Sequence, residues 1–133
     1  MKNLVSTIVF AGGIGFVLAV SGLGSGTMLA QETDEGEPAV PFSLSSGFEA
    51  YQSHCADCHG DWGKGTDQGP PLMHGYYVKG HHGDAAFFRA IQSGSPQHHW
   101  GFGDMPPVQG VNRETAIQIV KYIRWLQAEN GFR

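Results

Sequence analysis

The chain has 133 residues, among them 20 glycines and 7 prolines, and a formal net charge of -4. That length suits one small domain, and the glycine and proline content demands much loop. The acidic balance, about -5 once Lys2 is removed with a leader, argues against nucleic acid or an anionic membrane surface as partner. So small and loop-rich a domain buries little surface and loses much chain entropy on ordering. A large apolar body bound at its centre would answer both problems.

Residues 1–30 read as an export signal outside the fold. Lys2 gives a minimal positive start, and Leu4 to Val20 supply an apolar run broken at Gly12-Gly13. Small residues from Ser21 to Gly26 then lead to Ala30, a plausible cleavage point. The run is long for a signal, so the alternative is a single uncleaved N-terminal anchor, with membrane association through that segment. The glycines and the lone lysine favour cleavage. The rest of the chain is then expected in the periplasm, free or anchored facing it. Residues 31–44 form an acidic linker in which Glu32, Asp34, Glu35 and Glu37 crowd with Gly36, Pro38 and Pro41, and disorder is expected there. Residues 45–133 make the folded domain.

A first helix is expected near Ser46, with Glu49 completing a capping box. Phe48, Tyr51 and Cys55 fall on one face of it. That face leads into Cys55-Ala56-Asp57-Cys58-His59, which holds the only two cysteines in the chain. Two thiols a helical turn apart, followed at once by histidine, read as a c-type haem attachment site. The thiols can add to two vinyl groups on one haem edge, and the imidazole of His59 can supply a ligand to iron. Three other readings compete. A disulfide across a two-residue spacer staples little chain. A thioredoxin-like pair lacks a preceding strand. Zinc needs about four ligands and would have to recruit scattered histidines.

From Gly60 to Gly80 the pattern is loop, and its aromatics Trp62, Tyr76 and Tyr77 either fill a small core or bond haem propionates. Asp84 is expected to cap a second helix that stops at Gly94. A glycine-rich loop with Pro96 then reaches Met105-Pro106-Pro107. The last helix starts from Asn112 as N-cap, with Ala116, Ile119, Ile123 and Leu126 as its apolar stripe, flanked by Val120 and Tyr122. Asn130-Gly131 ends it. No stretch alternates as a strand does, so the expected fold is all-α.

In order and separation, Gly47-Phe48, Cys55-Ala56-Asp57-Cys58-His59, Gly63-Lys64-Gly65, Gly69-Pro70-Pro71-Leu72, Gly103-Asp104-Met105-Pro106-Pro107 and the aromatic-rich final helix resemble a class I cytochrome c from about Ser45 onward. The resemblance implies a small all-α fold of three or more short helices and glycine- and proline-rich loops around one covalently attached haem (heme c). It implies that the Pro70 carbonyl orients His59 and that Leu72 packs on the haem. It also implies that the first and last helices cross at aromatic side chains, with Tyr122 and Trp125 as partners of Phe48 and Tyr51. Two methionines outside the leader compete for the distal side of the iron. Met73 closely follows the loop that the resemblance puts on the proximal side. Met105 lies downstream in a loop stiffened by two prolines, and is the expected second axial ligand with His59.

These residues imply an exported, monomeric carrier that moves single electrons between a donor and an acceptor through transient contacts, with no catalytic residues and no bond chemistry on a substrate. The alternative is a haem-bearing subunit of a membrane-associated oxidoreductase. A gas-sensing or peroxidase haem would need an open iron. His54, His74, His81, His82, His98 and His99 are expected to be solvent-exposed imidazoles, with His98 and His99 best placed to compete for iron or to bind a second metal.

Overall fold

A computed structural model describes Glu37–Arg133. The expected export signal and most of the acidic linker lie outside the described residues. Among the described residues four helices follow one another: α1 (Ser45–His54), α2 (Ala56–His59), α3 (Asp84–Ser93) and α4 (Arg113–Glu129). Short 3-10 turns occupy Phe42–Leu44 and Gly75–Tyr77. Among the described residues the only β pairing is an isolated bridge between Ser95 and Met105, so the fold is all-α as expected.

Residues 37–44 are placed against the domain, in contrast to the disordered linker expected there. Glu37 pairs with Lys64, Val40 packs on the core, and the turn at Phe42 runs directly into α1. That turn also replaces the expected capping box. The Leu44 N–H donates to Pro41 O at 2.8 Å and the Ser45 N–H donates to Phe42 O. These backbone bonds answer donors that a cap would otherwise serve. Leu44 therefore stands at the N-cap with no side-chain bond, and Ser46 and Glu49 make no box.

The core is the crossing of α1 and α4. Along α4 the buried positions include Ala116, Ile119, Val120, Tyr122, Ile123 and Leu126, the stripe that the helical period predicts. Each large side chain fully removed from water contributes about 1.5–3 kcal/mol. Tyr51 and Tyr122 are completely buried, with ring centroids 5.3 Å apart. Phe48 meets Tyr122 edge-on at 5.6 Å, and Trp125 lies against Tyr122 at 5.8 Å. Gly47 sets how close the helices come, since a Cβ there would stand 2.4 Å from Gln118 O.

The N-terminus of α4 is capped as expected, with Asn112 Oδ1 accepting from the Thr115 N–H at 2.8 Å. The start of α3 differs. Gly83 is its N-cap and Asp84 its first helical residue, because the Asp84 carboxylate accepts from Arg124 Nε at 2.7 Å instead. Arg124 also donates to Tyr77 O and His82 O, each at 2.6 Å, and to Gln127 Oε1 at 2.7 Å. Its guanidinium sits 4.6 Å from the centroid of the Phe87 ring. Gln127, buried on the apolar side of α4, donates to Leu72 O at 3.0 Å. One side chain thus ties the loop before α3, the start of α3 and α4 together.

Two outcomes follow from this packing. Gly47→Ala forces the crossing apart and is expected to lower stability by about 1–3 kcal/mol, read as a lower urea midpoint of the holoprotein. Arg124→Ala strands its carbonyl partners and should cost about 2–4 kcal/mol. Arg124→Lys should recover little of that, because an ammonium cannot copy the planar fork.

Candidate haem site

The site begins where α1 ends. The Cys55 N–H still donates to Tyr51 O at 2.8 Å, but Cys55 itself takes φ -128° and ψ -33°, and the chain turns there into the single turn of α2. His59 N–H returns to Cys55 O at 2.9 Å and Gly60 N–H to Ala56 O at 2.7 Å. The chain then folds back over the carbonyl end of α2. Gly65 N–H donates to His59 O at 2.7 Å, and the Thr66 hydroxyl donates to Cys58 O at 2.7 Å. These bonds satisfy helix-end carbonyls and lay the 66–72 segment beside the histidine.

In that position His59 Nδ1 lies 2.8 Å from Pro70 O. A carbonyl only accepts, so Nδ1 carries the proton and Nε2 keeps its lone pair. Burial lowers the His59 pKa, and the bond to Pro70 opposes that shift only in part. The imidazole is therefore neutral at pH 7, as a metal ligand must be. No disulfide joins Cys55 to Cys58. Burial, reinforced by the neighbouring Cys58, pushes the Cys55 thiol up to about 12.

Beyond α2 a cleft of about 500 Å³ opens between α3, α4 and the loops. Leu72, Phe87, Ile91, Ile119 and Ile123 supply its apolar wall, and Cys55, His59, Pro70 and Met105 also line it. Cys58 is exposed and is not among the lining residues. Nor is Met73, whose methyl group packs over Gly63. Trp62 is likewise outside the cleft, its ring tilted 30° against Phe48 with centroids 5.9 Å apart, whereas Tyr77 borders it.

Met105 is held by backbone. It exchanges two hydrogen bonds with Ser95, both 2.9 Å. Gly94 makes the approach possible: its φ is +76°, and a Cβ would stand 2.4 Å from Met105 O. Asp104 Oδ1 accepts from the Gln97 N–H at 2.9 Å, and Gln97 Oε1 from the Gly103 N–H at 2.6 Å. The excursion between Ser95 and Met105 is thereby closed on itself and carries His98, His99 and Trp100 along the cleft.

Trp100 is a site residue that the sequence reading missed. Its Nε1–H is buried with no hydrogen-bond partner. Burial raises the Tyr77 phenol pKa and the nearby Trp100 indole opposes that rise, yet the two groups fall short of hydrogen-bond geometry. An orphaned buried donor costs about 1–3 kcal/mol unless a ligand brings an acceptor, as a carboxylate-bearing macrocycle does. The apolar walls, the unpaired thiols, the neutral oriented imidazole, the thioether and this waiting donor all fit haem. Arg124 and Gln127, which brace the cleft from behind, were also missed. Gln127 had a signal, because it stands four residues after Ile123 on an otherwise apolar stripe. Arg124 had none.

A family model described as cytochrome c matches residues 44–127. No curated protein and no solved structure matches the chain. With the attachment turn, the cleft and the helical frame in place, the chain belongs to the cytochrome c family: a haem-binding electron-transfer protein that carries haem c covalently.

Proposed function

We propose that this protein is an exported monohaem electron carrier whose iron is ligated by His59 and Met105, working in the periplasm between a donor and an acceptor that it meets transiently. The observation that carries the reading is that His59, with Nδ1 committed to Pro70 O at 2.8 Å, and Met105 line the same apolar cleft. When bound, the haem supplies a reversible one-electron couple at iron. The chain's own residues supply the rest. Cys55 and Cys58 form the thioethers. Pro70 fixes the tautomer and ring angle of His59, an outer contact of the kind that strengthens a ligating imidazole. Leu72 and the walls from α3 and α4 exclude water. Met105 offers a soft thioether, which favours ferrous iron and raises the potential. With both His59 and Met105 on the iron, no position would stay open to small molecules, which favours electron transfer over sensing or peroxide chemistry.

The chain has only three lysines beyond the leader, and Lys64 is paired with Glu37. A lysine ring for docking on an acidic partner is therefore not part of this reading.

The ligand assignment is tested with the oxidised and reduced holoprotein. Wild type should show the weak near-infrared band of sulfur-to-ferric charge transfer and bind carbon monoxide poorly. Met105→Ala should lose the band, lower the reduction potential and bind carbon monoxide when reduced, while Met73→Ala keeps the band. Survival of the band in Met105→Ala would refute the assignment.

A further inference from the structure

Four histidines with no part in the attachment turn or the proposed iron ligation come together from two segments, and three of them, His82, His98 and His99, also line the cleft. His81 and His82 lie in the turn before α3, and His98 and His99 lie in the excursion between Ser95 and Met105. Nε2 of His81 is 3.2 Å from Nε2 of His99, and Nε2 of His82 is 3.3 Å from Nε2 of His98. One ring nitrogen from each of His81, His82 and His99 falls within 4.8 Å of the others.

The tautomers make this arrangement informative. His82 Nδ1 faces Tyr76 O, and His98 Nδ1 faces Pro96 O at 2.7 Å. Carbonyl oxygens only accept, so both Nδ1 atoms must carry protons and donate. In neutral rings the two Nε2 atoms then point lone pair at lone pair across 3.3 Å. No hydrogen bond can form there, and the contact is repulsive unless a positive centre lies between the rings. Two nitrogens that share a tetrahedral zinc ion stand about 3.3 Å apart, given Zn–N bonds of about 2.0–2.1 Å. Both facing pairs have that spacing. The carbonyls on Nδ1 are the outer-shell acceptors that hold a ligating imidazole at its angle.

The surrounding structure keeps the rings where they are. Arg124 donates to His82 O at 2.6 Å, which fixes the first turn to α4. Tyr76 stacks on His99 with ring centroids 4.3 Å apart. His81 and His98 are exposed, so an ion can enter from solvent. Asp84, the carboxylate closest in sequence, is engaged by Arg124 at 2.7 Å, and the donor set is all imidazole. Such a set selects zinc or copper over magnesium or calcium.

We propose that His81, His82 and His99, with His98 facing His82, form a second metal site, distinct from the haem iron, for an imidazole-favouring divalent first-row cation of the Zn2+ or Cu2+ kind. Zn2+ is the probe, since it leaves the redox state of the haem alone. Calorimetric titration of the ferric holoprotein should show uptake of one Zn2+ per chain, unaffected by excess Mg2+. X-ray absorption at the zinc edge should show a shell of nitrogens at about 2.0–2.1 Å. His82→Ala and His99→Ala should each weaken binding at least tenfold, His81→Ala, outside the cleft lining, should do so without changing the haem spectrum, and His54→Ala should leave binding unchanged. Absence of saturable uptake would overturn the proposal and leave a shared proton as the positive centre. So would uptake that neither His82→Ala nor His99→Ala weakens. The haem reading fails separately: zinc uptake in a protein without the near-infrared band supports this site and refutes only Met105.

Discussion

Close approach of α1 and α4 is the constraint on which the rest of the structure depends. Gly47 lets the backbone of one helix reach that of the other, with no room for a Cβ beside Gln118 O. Around this contact Tyr51, Ile119, Tyr122 and Leu126 are sealed from water. The crossing fixes where α1 ends, and so where the attachment turn begins. It also turns Ile119 and Ile123 of α4 toward the cleft and leaves Arg124 and Gln127 to hold the intervening loops. A helix pair that encloses its own small core thus serves as the frame for a much larger apolar group.

The two sides of the cleft are built by different means. On the histidine side a loop folds over a one-turn helix, whose end carbonyls His59 O and Cys58 O organise it, and the loop's own Pro70 O then receives the His59 ring. On the methionine side the chain is held against the C-terminal end of α3. A two-residue bridge to Ser95 and the positive φ of Gly94 position Met105, and Val108 N–H returns the chain to Ile91 O at 2.9 Å. That side depends on backbone bonds near solvent, so it is the side from which local opening should start.

What could be read from the sequence was what local chemistry decides. The stripe on α4, the Asn112 cap, the Gly94 stop and the attachment turn all depend on residues within a few positions of one another. The Ser46–Glu49 box failed because a preceding turn had already given α1 backbone acceptors. Asp84 was drawn from its cap by a guanidinium 40 residues away, and no local pattern reports such a partner. The histidine pairs are joined across 16 and 18 positions, so their facing lone pairs exist only in three dimensions. Trp100 was legible as an aromatic but not as an unsatisfied donor, since satisfaction depends on the whole cleft.

The proposed function has this fold assembled around one haem bonded through Cys55 and Cys58. Intact mass of the purified protein, measured before and after acidic acetone extraction, is the direct test. The expected mass is that of the polypeptide plus one haem, unchanged by extraction, with no haem in the organic phase. The mass of the bare chain, or free haem in the acetone, would contradict it.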